Sequence, residues 1–388
     1  MKDRVVNIDL LKILVILMVI SLHFLSHQNY LHSYDFGSAM YFLAWIIYSF
    51  CICSVDVFVI ITGFFLSTNV YSSEKHLNRL IKILLCTQII SVIVGIFCVV
   101  IFNEKVSTTD MIRTVFPTFT NTNWFITSYF LLILISPFLN KLMCVLGQKT
   151  LRNFLILLFF GLCFFPTVSF QYRIVTKTVP GVAILFALLY MIGGYIRKYN
   201  INVKRALLIF VSLCFLIFLS KVFLDNLILN FPFFSNKLGV ELVSKYSDKF
   251  FEYSSFLVVL AALALFLCFK NLTLNFNFKI NKYISELAAC SLTVYIFHDQ
   301  QILRKSILWD KIVNIDLLIR GQFEILLLPL AVVLTSICIY LISYMLHIIF
   351  VKQIVYNKLL NLNIIKNLEK RFINCSLYKK YEKFINAI

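Results

Sequence analysis

Ten long apolar runs, separated by short polar stretches, constrain this chain more than any other feature. They lie at roughly residues 8–27, 40–67, 79–102, 124–147, 151–168, 179–197, 205–224, 254–270, 283–303 and 323–350. Crossing a bilayer's hydrocarbon core takes about 17 to 25 apolar residues in a helix, and each run is of that order. With no water to satisfy the backbone, a helix is the conformation such a run must take. Apolar residues make up 61% of the chain and charged ones only 14%, against about 25% charged in soluble domains. A soluble enzyme, a disordered chain and a coiled coil are thereby excluded. The expected fold is all-α: one polytopic membrane bundle of about ten transmembrane helices.

The remaining charge sets the orientation. The chain has 36 Lys and Arg against 18 Asp and Glu, a net +18. With the N-terminus inside, the inner loops and tail carry nearly twice as many basic residues as the outer ones. This predicts cytoplasmic termini. The basic residues are spread over loops rather than gathered on one folded face, which argues against nucleic acid and for an anionic membrane surface. The division expected is a transmembrane unit over 1–350 and a basic amphipathic cytoplasmic tail over 351–388. Ten of the eleven cysteines lie inside apolar runs, with Cys375 in the tail. Their spacing gives neither a metal set nor a disulfide framework, so no metal is expected.

Ionisable groups inside spans are costly, which makes them the candidates for function. The first run holds Asp9, Lys12 and His23. Lys12 and His23 are eleven residues apart, three turns plus about 20°, so they share a face with about 16 Å of rise between them. Asp9 is one turn below Lys12 and can pair with it. His298 stands as far above the start of its run as His23 does above its own, so the two imidazoles are expected at similar depth. Ser291 and Tyr295 lie within two turns of His298 on roughly the same face. Asp56 falls near mid-membrane in the second run and needs a cationic or hydrogen-bonding partner. Arg79 and Lys82 open the third run one turn apart, placed for interfacial anchoring or for clamping a cytosolic anion. Trp124 and Tyr129, at the outer start of the fourth, have the placement of an aromatic belt.

Several stretches resemble the membrane acyltransferase-3 family, in order and at matching spans. Residues 7–23, N-I-D-L-L-K-I-L-V-I-L-M-V-I-S-L-H, are similar to its opening helix of Asp, basic residue and His. D-V-F-V-I-I-T-G-F-F-L at 56–66, R-L-I-K at 79–82, N-W-F-I-T-S-Y-F-L-L-I-L-I-S-P-F-L-N at 123–140 and S-L-T-V-Y-I-F-H at 291–298 resemble its later motifs. The family's usual Arg is Lys at 12, and its second helix-three Arg is Lys at 82. Lys keeps the charge and loses the planar fork.

The resemblance implies an O-acyltransferase that moves an acetyl or other short acyl group from cytosolic acyl-CoA to a hydroxyl of a cell-surface or lipid-linked polysaccharide. It implies a catalytic His23, with His298 and Asp56 as further catalytic candidates. Lys12, Arg79 and Lys82 would hold acetyl-CoA, and Trp124, Tyr129, Ser291 and Tyr295 would contact the acceptor. Transfer would be direct, with imidazole as general base, or pass through a transient acyl-imidazole. The expected location is a bacterial plasma membrane. The contrasting expectation is a flippase or exporter of lipid-linked sugars, whose spans are typically broken by Gly or Pro. Only Pro137 and Pro329 fall clearly within spans here.

Overall fold

The computed structural model describes residues 6–27, 30–68, 72–169, 178–230, 246–313, 324–356, 371 and 373–387. Lys2 and Arg4, and most of 357–372, lie outside them. The described residues are helical, with no strand. Nine helical segments are long and apolar enough to cross a membrane. Side chains such as Val100, Leu157 and Leu326 stand exposed on the outer surface of the bundle, which a lipid solvent accepts and water does not. The chain is a multi-pass membrane protein.

Helix α1, Val6–His27, is the centre of the bundle. The second span is two segments, α2 (Ala39–Cys51) and α3 (Ser54–Leu66). Then follow α4 (Ser73–Phe102), α5 (Trp124–Val145), α6 (Gln148–Phe159, carried through a π turn to Val168) and α7 (Val179–Tyr199). Next come α8 (Ala206–Asn230) and α9 (Phe256–Asn271). Helix α1 packs against α2, α3 and α9. Asn7 ties its start to the end of α9 by donating to the carbonyls of Phe269 (2.6 Å) and Leu272 (3.0 Å).

The most extensive helix pair is α3 with α7. Its cause is glycine. A Cβ on Gly63 would collide with the Tyr190 carbonyl, and one on Gly193 with the Ile60 carbonyl. Small residues let two backbones meet where lipid offers no hydrophobic drive for association.

The expected span 283–303 is not one helix. It is α10 (Phe278–Ala289), then α11 (Ser291–His298), then the π-helical α12 (Leu303–Ile312). The chain turns at Cys290 (φ −85°, ψ −1°) and again at Asp299 (φ −98°, ψ 9°). Neither break has Gly or Pro. Side chains take up carbonyls at the first break instead: Tyr340 Oη and Cys290 Sγ donate to Leu287 O, and Ser291 Oγ donates to Ala288 O at 2.8 Å. Such bonds are one way to interrupt a helix ladder. Tyr340 comes from α13 (Glu324–Leu346), which packs on both α1 and α11.

The end of the tail contacts the bundle. In α14, Ser376–Ala387, Tyr378 Oη donates to Ser73 O (3.3 Å) and Tyr381 Oη to Leu134 O (2.8 Å). The Tyr381 ring stacks over His76. The amphipathic helix presents its tyrosines to the start of α4 and to the middle of α5.

A buried histidine pair between two chambers of opposite charge

Helix α1 carries His23 up to the point where the ninth span breaks. The imidazole of His23 meets that of His298, the last residue of α11, with ring centroids 4.9 Å apart. The depth match inferred from spacing is therefore a contact. The two rings differ in environment. His298 is fully buried, whereas 17% of the His23 side chain remains accessible. His298 Nδ1 donates to Val294 O at 2.6 Å. A carbonyl only accepts, so the Nε2 of neutral His298 carries the lone pair. That nitrogen has no hydrogen-bond partner among the described residues.

The break at 299 adds a carboxylate to the pair. Asp299 Oδ1 lies 3.9 Å from His23 Nδ1 and 2.6 Å from Arg304 Nη1. Asn123 Nδ2 donates to Asp299 Oδ2 at 2.9 Å and to its backbone carbonyl at 3.0 Å. Two groups that charge or donate thus fix a buried carboxylate beside an accessible imidazole. Tyr295 packs edge-on against His298 with centroids 5.8 Å apart. Ser291 is not part of this cluster, because its hydroxyl is used in the helix break. Asp56 is also apart. It is completely buried in the first turn of α3, and neither carboxylate oxygen has a hydrogen-bond partner among the described residues. Among the described residues the expected hydrogen-bonding partner is not found. The restart of the helix at Ser54 places it at a helix N-terminus, where the dipole favours a carboxylate.

Past the end of α1 lies a cavity of about 640 Å³ whose lining reaches Ser26 and does not include His23 itself. Trp45, Tyr48, Trp124 and Tyr253 give it aromatic walls, and Asp248 and Glu252 line it as well. Ser26, one turn above His23, is on its lining. Trp124 and Tyr129 are thus not a lipid-facing belt. Trp124 packs on Tyr253 at 5.2 Å. Tyr129 stacks on Phe125 at 5.7 Å and hydrogen-bonds Thr62 at 3.3 Å. The packing of α5 against α7 turns that face inward. On the far side of Asp299, Arg113, Arg304 and Lys305 line a second, polar cavity of about 560 Å³ with Asp310. Outside the spans, the nearby Asp110 carboxyl is held below its usual range, chiefly by the Ser107 hydroxyl.

The opposite end of the bundle is organised around the last turn of α3. Lys12 is paired with Asp9 at 2.9 Å and sits 5.2 Å from the Phe65 ring centroid. Asp9 in turn accepts from Ser285 at 2.8 Å. Arg197, at the end of α7, lies 4.9 Å from the ring of Phe64. Arg79 is half-buried, within electrostatic reach of Tyr129 and Tyr190. Lys82 is exposed. Arg79 and Lys12 therefore face the bundle, and Lys82 does not share Arg79's environment.

Asp299, Asn123, Arg304 and Arg197 were not foreseen as site residues. The run H-D-Q-Q at 298–301 was the available signal. A carboxylate and two amides in succession do not belong in a lipid-spanning helix. A model of an acyltransferase domain, that of the acyltransferase-3 family, matches residues 5–347 of the chain. No curated protein and no solved structure matches it.

Proposed function

The chain belongs to the acyltransferase-3 family and is an integral-membrane acyltransferase, and from that premise we propose that it carries acetyl groups from cytosolic acetyl-CoA to a hydroxyl of a cell-surface or lipid-linked polysaccharide. The observation that carries this reading is the His23–His298 contact beside Asp299, one helical turn from a cavity large enough for a sugar. Ligand cavities of roughly 300 to 1,000 Å³ are typical of small-molecule sites.

In this reading the Lys12 end faces the cytosol of a bacterial plasma membrane, and both termini lie there. Lys12, Arg79 and Arg197 receive the donor's phosphates, which Lys meets as a point charge and Arg as a fork. The thioester arm rises along α1 to His23. The acceptor sugar enters from the other side, between Trp124 and Trp45.

An alcohol is a poor nucleophile at neutral pH. Neutral His23 takes the hydroxyl proton as the oxygen attacks the thioester carbonyl. The carbon–sulfur bond breaks, and the departing thiolate takes the proton back from the imidazolium. The products are an ester and the free thiol of CoA. Asp299 supports the imidazolium electrostatically and holds the ring's orientation, a role that leaves the carboxylate itself unprotonated. His298 backs the His23 ring with a fixed tautomer.

The test is transfer of labelled acetyl from acetyl-CoA to glycan in membranes that contain the His23→Ala or His23→Gln variant. Label at the unaltered level would remove His23 from the reaction. Broken helices are also a transporter trait. Here the side chains of Cys290, Ser291 and Tyr340 occupy carbonyls of the first break, and the second break supplies the carboxylate beside His23.

A further inference from the structure

His298 has one proton that it must keep and one lone pair that it has not used. Its Nδ1 donates to the Val294 carbonyl at 2.6 Å. A carbonyl only accepts, so that nitrogen stays protonated whether the ring is neutral or charged. The lone pair of the neutral ring is therefore on Nε2, which is buried and has no hydrogen-bond partner among the described residues. An acceptor left bare in the interior is costly and calls for an explanation. The ring in contact with it is His23, with centroids 4.9 Å apart and planes tilted by 42°. The surroundings hold His298 still. Tyr295 packs edge-on against it, α11 packs on α1, α4 and α13, and Thr293 hydrogen-bonds His347 at 2.8 Å just past the end of α13. Asp299, itself paired with Arg304, lies within electrostatic reach of both imidazoles. Two charged rings in contact would repel one another, so the pair accommodates a single added proton.

We propose that Nε2 of His298 is a second proton acceptor in the transfer, holding the proton that His23 removes until the thiol departs. The proposal rests on the acyl-transfer reading, with His23 as the base. As the acceptor oxygen bonds to the thioester carbon, its proton goes to His23, and His23 passes a proton on to His298 Nε2. His298 is then an imidazolium, and its Nδ1–H keeps the Val294 carbonyl. The carbon–sulfur bond breaks, the electron pair leaves on sulfur, and a proton returns through His23 to the thiolate. Protons balance, and no further reactant is needed. A proton left on His23 stays next to the oxygen it came from. One ring further in, it cannot return to that oxygen before the carbon–sulfur bond opens.

Two measurements on the full chain test this. The first needs no activity. The chain has six histidines, and nitrogen-15 spectra of the histidine-labelled protein in lipid nanodiscs report the tautomer of each. His298, identified by the signal lost in His298→Asn, is expected to be neutral at pH 7 with its proton on Nδ1; a proton on Nε2 overturns the proposal. The second is single-turnover transfer of labelled acetyl from acetyl-CoA to glycan in membranes, run in mixtures of light and heavy water. The unaltered protein is expected to show a bowed dependence on deuterium, the mark of two protons moving together. His298→Asn keeps an amide N–H for Val294 and lacks the lone pair; it should be about a hundredfold slower, with a linear dependence and an unchanged KM for acetyl-CoA. His298→Gln offers an acceptor that cannot hold a proton, and should be as slow. A linear or flat dependence in the unaltered protein overturns the relay. So does a near-normal rate in His298→Asn, or rescue by His298→Gln, which would reduce His298 to a positioning residue. In all of these label still moves and the transfer reading stands. An unaltered protein that moves no label removes that reading and the relay with it.

Discussion

The two ends of the bundle handle positive charge in opposite ways. At the His23 end, three cations are matched to carboxylates, Arg304 to Asp299, Lys221 to Asp225 and Asp248, and Lys311 to Glu104, while Lys249 rests on the Ser169 carbonyl. At the other end, among the described residues, Lys12 has such a match with Asp9. Arg197 rests on Phe64, Lys198 on the Met143 carbonyl, and Lys270 on the Ile201 carbonyl and the side chain of Asn202. A matched cation is neutralised and shapes a site. An unmatched one keeps its field for a polyanion. In the proposed orientation, the unmatched cations at the Lys12 end would face an anionic leaflet.

The sharpest way to break this comparison is at the matched end. His23→Ala should lower acetyl transfer about a thousandfold, within the range that general-base groups contribute, while the KM for acetyl-CoA stays put. A large rise in that KM would instead place His23 in donor binding. Asp299→Asn keeps the Asn123 contact and removes the charge. It should cost roughly a hundredfold in kcat with little change in either KM, and Asp299→Glu should restore part of it. Equal loss in the Asn and Glu variants would mark Asp299 as merely structural.

The unmatched end should respond in KM instead. Arg79→Ala and Arg197→Ala are each expected to raise the KM for acetyl-CoA about tenfold at nearly constant kcat, the signature of lost uniform binding. Added salt should mimic them in the unaltered protein. If either variant lowers kcat without moving KM, the division of labour between the ends fails. The smallest effect is expected at Lys82, which is exposed: Lys82→Ala should change the donor KM by no more than about twofold.

The spans were readable from composition alone, because lipid leaves a chain little choice. The sequence also suggested a similar depth for His23 and His298, but not that the two rings touch, and not that the helix carrying His298 restarts at Ser291. What failed to show had long-range causes. No Gly or Pro marks Cys290 as a break; besides Cys290 and Ser291 themselves, it draws on Tyr340, fifty residues away, reaching the Leu287 carbonyl. Without that break, Asp299 reads as one more residue of a helix. The inward turn of Trp124 and Tyr129 was hidden for a related reason. α5 is apolar on every side, so its sequence carries no amphipathic stripe to say which face meets protein. Only its neighbours α3 and α7 decide.

The glycine contact between α3 and α7 has a consequence for the substrate. Gly63 and Gly193 bring backbone against backbone, with no side chain in between to bend or repack. These two helices cannot slip past one another, so Arg197, at the end of α7, keeps its place over Phe64 at the end of α3. If that end receives the donor, as proposed, the guanidinium would wait for it at a fixed height rather than travel to meet it.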